Sequence, residues 1–147
     1  MPIWLNTPSV ESANQLAENT LASHLGIRVT HIGDDFIVGT LPINQRTLQN
    51  HGALDSALHG GATTALAETL VGYGANCCVD QSQYQCIGLA INANHIQPAR
   101  SGKVTAMARP IHLGKSTHVW RVEINDENDQ VICESRLTLA VVNLAES

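Results

Sequence analysis

The chain is poor in basic residues: eight Lys plus Arg stand against thirteen Asp plus Glu, a formal net charge of -5 over 147 residues. Without a basic stripe to neutralise phosphates, no nucleic-acid partner is expected. Long apolar runs are missing too. Gly, Thr, Asn or a charge interrupts each one well before bilayer-spanning length, and Met1 to Leu5 has neither the basic start nor the apolar run of a secretory signal. The expectation is a cytoplasmic protein with no membrane partner. Cysteines at metal-binding spacing are absent, since Cys77, Cys78, Cys86 and Cys133 form no C-x-x-C pair. Adjacent residues on a helix point different ways, so these four read as small buried thiols; neither a structural disulfide nor a bound metal is expected. No repeat, low-complexity tract or linker divides the chain. Residues 1–147 are expected to form one domain with one core, and any second working unit must come from another copy.

What is present is periodic. Ser9 to Ser23 carries Val10, Ala13, Leu16, Ala17, Thr20 and Leu21 at helical spacing before Gly26, which predicts an amphipathic helix within residues 1–24. Ile27 to Ile32 and Phe36 to Ile43 are β-type runs parted by Gly33-Asp34-Asp35, the signature of a hairpin. Residues 58–79 are small and apolar on most sides, as in a buried central helix. Four strands follow, at Cys86 to His95, Lys103 to Ile111, His118 to Ile124 and Val131 to Val142. Trp120, Val122 and Ile124, and again Ser135, Leu137, Leu139 and Val141, alternate with polar neighbours as in a one-sided antiparallel sheet. The order implies an α+β fold in which an antiparallel sheet wraps around one long buried helix.

Glu68 is the lone carboxylate between Gly60 and Val79, among Ala65, Leu66, Ala67 and Leu70, with no Lys or Arg near it in sequence. A buried unpaired acid is costly, which suggests a chemical role; a surface position or a distant ion pair is the plain alternative. Gly60-Gly61 after His59 would leave backbone N–H groups uncovered at the positive end of the helix, suited to a polarised carbonyl, or would merely allow close packing. Eight residues from Gly60 to Glu68 span about 12 Å of helix, whereas reacting groups must come within about 3 Å. One helix cannot supply both groups. An antiparallel partner helix about a two-fold axis could, so a dimer at least is expected.

Leu58-His59-Gly60-Gly61-Ala62 and Leu66-Ala67-Glu68 closely resemble the signature of hotdog-fold thioesterases of the phenylacetyl-CoA and 4-hydroxybenzoyl-CoA type. Asn92 to His95 with Pro98, Gly102 to Val104, Ile111 to Lys115 and Arg136-Leu137 resemble further motifs of one branch. That branch holds the 1,4-dihydroxy-2-naphthoyl-CoA hydrolase and the enterobactin proofreading thioesterase, and the match runs from about Leu25 to Asn143. The resemblance implies hydrolysis of an acyl-CoA, aroyl-CoA included, or of an acyl-carrier-protein thioester, by a dimer or dimer of dimers needing no cofactor beyond the coenzyme A of the substrate. The catalytic set it implies is Glu68, as nucleophile or general base, the Gly60 amide, with or without that of Gly61, and His59. For substrate binding it implies Gly61, Gln49, Thr69, Gly72, His95 and the turn of Gly114, Lys115, Ser116 and Thr117, the last meeting the coenzyme A phosphates or pantetheine.

Two departures stand out. The family glutamine falls six residues before the motif histidine, where this chain has Ala53; Gln49 stands ten before His59, as if four residues were inserted around Leu54 to Ala57. Gln49 fills the role over a longer loop, or Asn50, His51 or Asp55 replaces it. The hydroxyl one turn after the acid is replaced by Gly72, and Thr69 points about 100° away from Glu68. A hotdog hydratase or dehydratase, and an acyl-CoA-binding domain without turnover, are the competing readings.

Overall fold

The computed structural model describes residues 1–51 and 54–146, with the backbone alone at His51, Leu54 and Asp55. In chain order the elements are α1 (Val10–Leu16), α2 (Leu21–Leu25), β1 (Arg28–Ile32), β2 (Ile37–Pro42), β3 (Leu48–His51), β4 (Leu54–Leu58), α3 (Gly60–Cys77), β5 (Tyr84–His95), β6 (Lys103–Leu113), β7 (Thr117–Asn125) and β8 (Val131–Asn143). Six strands form one antiparallel sheet in the order β1-β2-β6-β7-β8-β5, and β3 and β4 form a separate hairpin.

α3 lies across the inner face of the sheet. Leu66, Ala67, Leu70, Val71 and Ala75 are wholly buried there, facing Ile37, Leu41, Val104, Trp120, Val122 and Ile124, also at 0% exposure. The alternation read along β7 and β8 is the one that supplies these contacts, Ser135, Leu137 and Leu139 included. Gly39 of β2 sets the helix-to-sheet distance, because a Cβ there would stand 2.6 Å from Leu70 Cδ2.

Two expectations need correction. The single N-terminal helix is two: Asn19, at φ 61°, takes the left-handed conformation, and Thr20 then opens α2 with a capping box to Ser23. The stretch before α3 holds the β3–β4 hairpin, and Leu58 ends β4 instead of beginning the helix. Its residues lack the alternation that marked the other strands, because the hairpin stands apart from the main sheet.

His118, on β7, is 2% exposed and has Cys86 Sγ 3.8 Å from its Nδ1. Burial, and secondarily nearby His112, lowers its pKa. The folded state therefore binds this proton less well than the unfolded chain, whose histidine titrates near 6.5, so stability is intact above roughly pH 6.5 and declines as pH falls through it. Thermal melts from pH 8 to 5 should show that decline, at no more than about 1.4 kcal/mol per pH unit, and His118→Phe should flatten it. Equal slopes in the two proteins would clear His118 of the effect.

Candidate active site

α3 starts directly after β4 with His59 as its N-cap, and the His59 Nδ1 accepts the Gly61 N–H at 2.7 Å. An imidazole that accepts at Nδ1 carries its proton on Nε2, so His59 has one N–H donor to offer. The Ala62 N–H is taken by the His59 carbonyl at 2.9 Å. The Gly61 amide is thus already engaged, and among the described residues the Gly60 N–H has no acceptor. It sits at the positive end of an 18-residue helix, where an oxyanion or polarised carbonyl is stabilised. The absence of a side chain matters here. A Cβ on Gly60 would lie 2.9 Å from His95 Nε2, so the imidazole of His95 rests against the Gly60 backbone.

A cavity of about 410 Å³ opens beside that amide, and its wall includes Gln49, Gly60, His95 and Arg100. Gln49 pairs with Ala57 across the β3–β4 hairpin. The residues that separate Gln49 from His59 therefore lengthen a hairpin and leave its base beside the helix start. Asn50 is exposed and is not in this wall; Ala53 and the side chains of His51 and Asp55 lie outside the described residues.

Glu68 is exposed, which corrects the expectation of a buried acid. Helical geometry explains the difference. Ala62, Thr63, Leu66, Ala67, Leu70, Val71, Gly74 and Ala75 make the face against the sheet, while Gly61, Thr64, Glu68 and Gly72 form a stripe at i, i+3 and i+4 spacing on the uncovered side. Because that stripe is built of Gly and Thr as well as Glu, the helix looks apolar all round. The carboxylate leans over β5: a Cβ on Gly88 would be 3.3 Å from Glu68 Oε2. Gly88 and His95 are seven residues apart, an odd spacing that puts residues of a regular strand on opposite faces. A bulge between Gly88 and Ala90 restores the phase, so both face α3. Gly88 and Arg100 escaped the reading of the sequence; a glycine inside a strand was the available signal for the first, and nothing local marks the second.

The remaining expected residues lie apart from Gly60. The Thr69 hydroxyl donates to the Ala65 carbonyl at 2.7 Å, and Thr69 and Gly72 line a groove on the α1–α2 side of α3. Gly114, Lys115, Ser116 and Thr117 form the β6–β7 turn at the Glu68 end of the sheet, where Thr117 pairs with Ala140 and Ala140 with Ile87. Within one chain this turn and the Gln49–Gly60–His95 cavity are at opposite ends of β5. The cysteines are poor candidates for a nucleophile. Burial pushes the Cys86 thiol up to about 11, and burial with neighbouring Cys77 and Cys86 pushes Cys78 up to about 12, so neither supplies a thiolate near neutrality. Among the described residues no group of His, Cys, Asp and Glu is arranged to hold a metal ion, and no helix is long and apolar enough to cross a membrane.

The sequence profile of the thioesterase superfamily matches residues 56–133, the stretch that contains the helix start, Glu68, β5 and the Gly114 turn. This chain belongs to the thioesterase superfamily. It is 40% identical over 140 residues to the 1,4-dihydroxy-2-naphthoyl-CoA hydrolase of Escherichia coli, covering 95% of this chain and 99% of that protein. The crystal structure of a Haemophilus influenzae thioesterase superimposes with a TM-score of 0.90 at 45% identity, covering 97% of this chain and 96% of the other. That of a Q49A mutant of a Pseudomonas aeruginosa thioesterase does so with 0.92 at 43%, covering 97% and 99%. The antiparallel sheet with its long helix is the hotdog fold of this superfamily, and the thioesterase is a thioester hydrolase.

Gly60→Ala tests the packing at the helix start. The added methyl must displace His95, and kcat/KM for thioester hydrolysis should fall about tenfold or more. In a His95→Ala background, where the space is free, the same change should cost much less. Equal losses in both backgrounds would mean that the clash is not the cause.

Proposed function

We propose that this thioesterase hydrolyses an acyl-CoA or acyl-carrier-protein thioester with Glu68 as catalytic carboxylate, in a site built by two subunits. The observation that carries the reading is the separation of its halves. The unpaired Gly60 N–H, with Gln49 and His95 beside it, is eight residues from Glu68, about 12 Å of helix, so one chain holds two half-sites and no whole one.

A second copy supplies the missing half. β5 is one of the sheet's two edge strands, twelve residues long, with Ile87 46% and Leu89 63% exposed, and an edge of that length with exposed apolar side chains invites pairing. Glu68 stands over Gly88, and Gly60 beside His95. The midpoint falls near Ile91 and Asn92 on β5 and at Thr64 on α3. A two-fold axis through those points pairs β5 with its mate and brings each Gly60 opposite the partner's Glu68. The unit is then a dimer or a dimer of dimers.

In such a site the thioester carbonyl accepts the Gly60 N–H, with the Nε2–H of His59, Gln49 and His95 to orient it. The Glu68 carboxylate attacks the carbonyl carbon to form a mixed anhydride that water opens, or it takes a proton from the attacking water. Either path expels the thiolate. Lys115, Ser116 and Thr117 belong to the half that carries Glu68 and would meet the phosphates or pantetheine of the same substrate. Four free thiols suit a reducing compartment, in keeping with the cytoplasm.

Glu68→Gln should lower kcat by about 10²- to 10⁴-fold. Mixing Gly60→Pro with Glu68→Ala subunits separates a shared site from a private one. His59, at φ −67° and ψ 131°, already has the backbone that a following proline requires. Random mixed dimers should recover about a quarter of wild-type activity, since half the dimers are mixed and each regains one of two sites; no recovery would mean that each chain works alone. Leu89→Lys, which places a charge on the free edge, should lower both the mass seen by sedimentation and the activity. Full activity as a monomer would end the shared-site reading.

A further inference from the structure

Past Glu68, the uncovered side of α3 continues through Thr69, Gly72 and Asn76 and meets α1 and α2 across a groove of about 460 Å³. Leu16 and Leu21 stand on its rim, 70% and 63% exposed. Gly72 is one helical turn from Glu68 on the same stripe, and a Cβ there would meet nothing within 4 Å. Space therefore opens one helical turn past Glu68, at Gly72, and runs along α3 away from it.

The polar side chains of this groove already hydrogen-bond within the chain. Thr20 donates to the Ala17 carbonyl, Thr69 to Ala65, Tyr73 to Ser9, Asn76 to Gly72 and Gln81 to Asn76. The Asn76 Oδ1 takes the Cys86 N–H at 2.8 Å. A hydroxylated aromatic acyl group entering here would lose hydrogen bonds to water and gain few in return, whereas an alkyl chain has none to lose. From Glu68 to Asn76 is about 12 Å along the helix, the reach of roughly nine or ten tetrahedral carbons with bonds of about 1.5 Å.

We infer that the substrate's acyl group is an unbranched aliphatic chain of medium length, laid along α3 past Gly72 and covered by Leu16 and Leu21. This rests on the Glu68 chemistry proposed above. It separates the chain from its Escherichia coli relative, whose named acyl group is a dihydroxynaphthoyl.

The test is thiol release from straight-chain acyl-CoA thioesters of two to twelve carbons and from hydroxybenzoyl-CoA. kcat/KM should rise about two- to fourfold per added methylene and level off near ten carbons, with hydroxybenzoyl-CoA below the eight-carbon substrate. Gly72→Leu, which fills the groove, should lower the ratio of ten-carbon to four-carbon kcat/KM by about tenfold. The double variant Leu16→Gln/Leu21→Gln, on separate helices, should lower the same ratio and keeps the test alive if Gly72→Leu does not fold. A flat profile, a preference for hydroxybenzoyl-CoA, or a ratio unchanged in the variants overturns the assignment and leaves Glu68 hydrolysis standing. A smaller assembly for the double variant by sedimentation also overturns it, since the groove would then be a contact between copies. Release from none of the thioesters overturns the Glu68 reading itself.

Discussion

The rise of an α-helix, about 1.5 Å per residue, is the constraint on which the rest of this protein depends. Eight residues separate the Gly60 amide from the Glu68 carboxylate on the 18-residue α3. Electrostatic stabilisation of a carbonyl and attack on its carbon must occur within a few ångströms. The helix can present each group well but cannot present both to one substrate. The long bare edge of β5 and the Gly and Thr stripe of α3 are what a chain needs if a second helix is to complete the site.

The surroundings of Gly60 and of Glu68 are each shaped by local chemistry. At the helix start, His59 binds the Gly61 amide with its own ring and leaves that of Gly60. Beside Glu68, the bulge in β5 turns Gly88 under the carboxylate while keeping His95 in phase with Gly60. A regular strand would have faced Gly60 or Glu68 and not both. Missing side chains do much of the positioning, since a Cβ at Gly60 would strike His95 and one at Gly88 would crowd the carboxylate.

The alternation along β7 and β8 and the small-residue run before Cys77 were legible because burial on one face imposes a period on the sequence. The helix-start motif, Glu68 and the turn from Gly114 to Thr117 were legible as residue types at fixed spacings. Gln49 was visible as a candidate and not as a neighbour of Gly60. The β3–β4 hairpin was invisible, because residues outside the main sheet carry no two-residue period.

By itself the sequence determined the order of the main-sheet strands around the central helix, the faces that β7 and β8 bury, and the distance along α3 from Gly60 to Glu68. Those follow from periodicity and helix geometry, which are local. Only the tertiary structure decided that Glu68 is uncovered, that Gln49 and His95 meet at Gly60, and that an open groove begins at Gly72. These depend on where α3 lies relative to an edge strand, a hairpin and two N-terminal helices that are distant in sequence. No local pattern encodes those separations, because packing joins residues whose spacing along the chain is arbitrary.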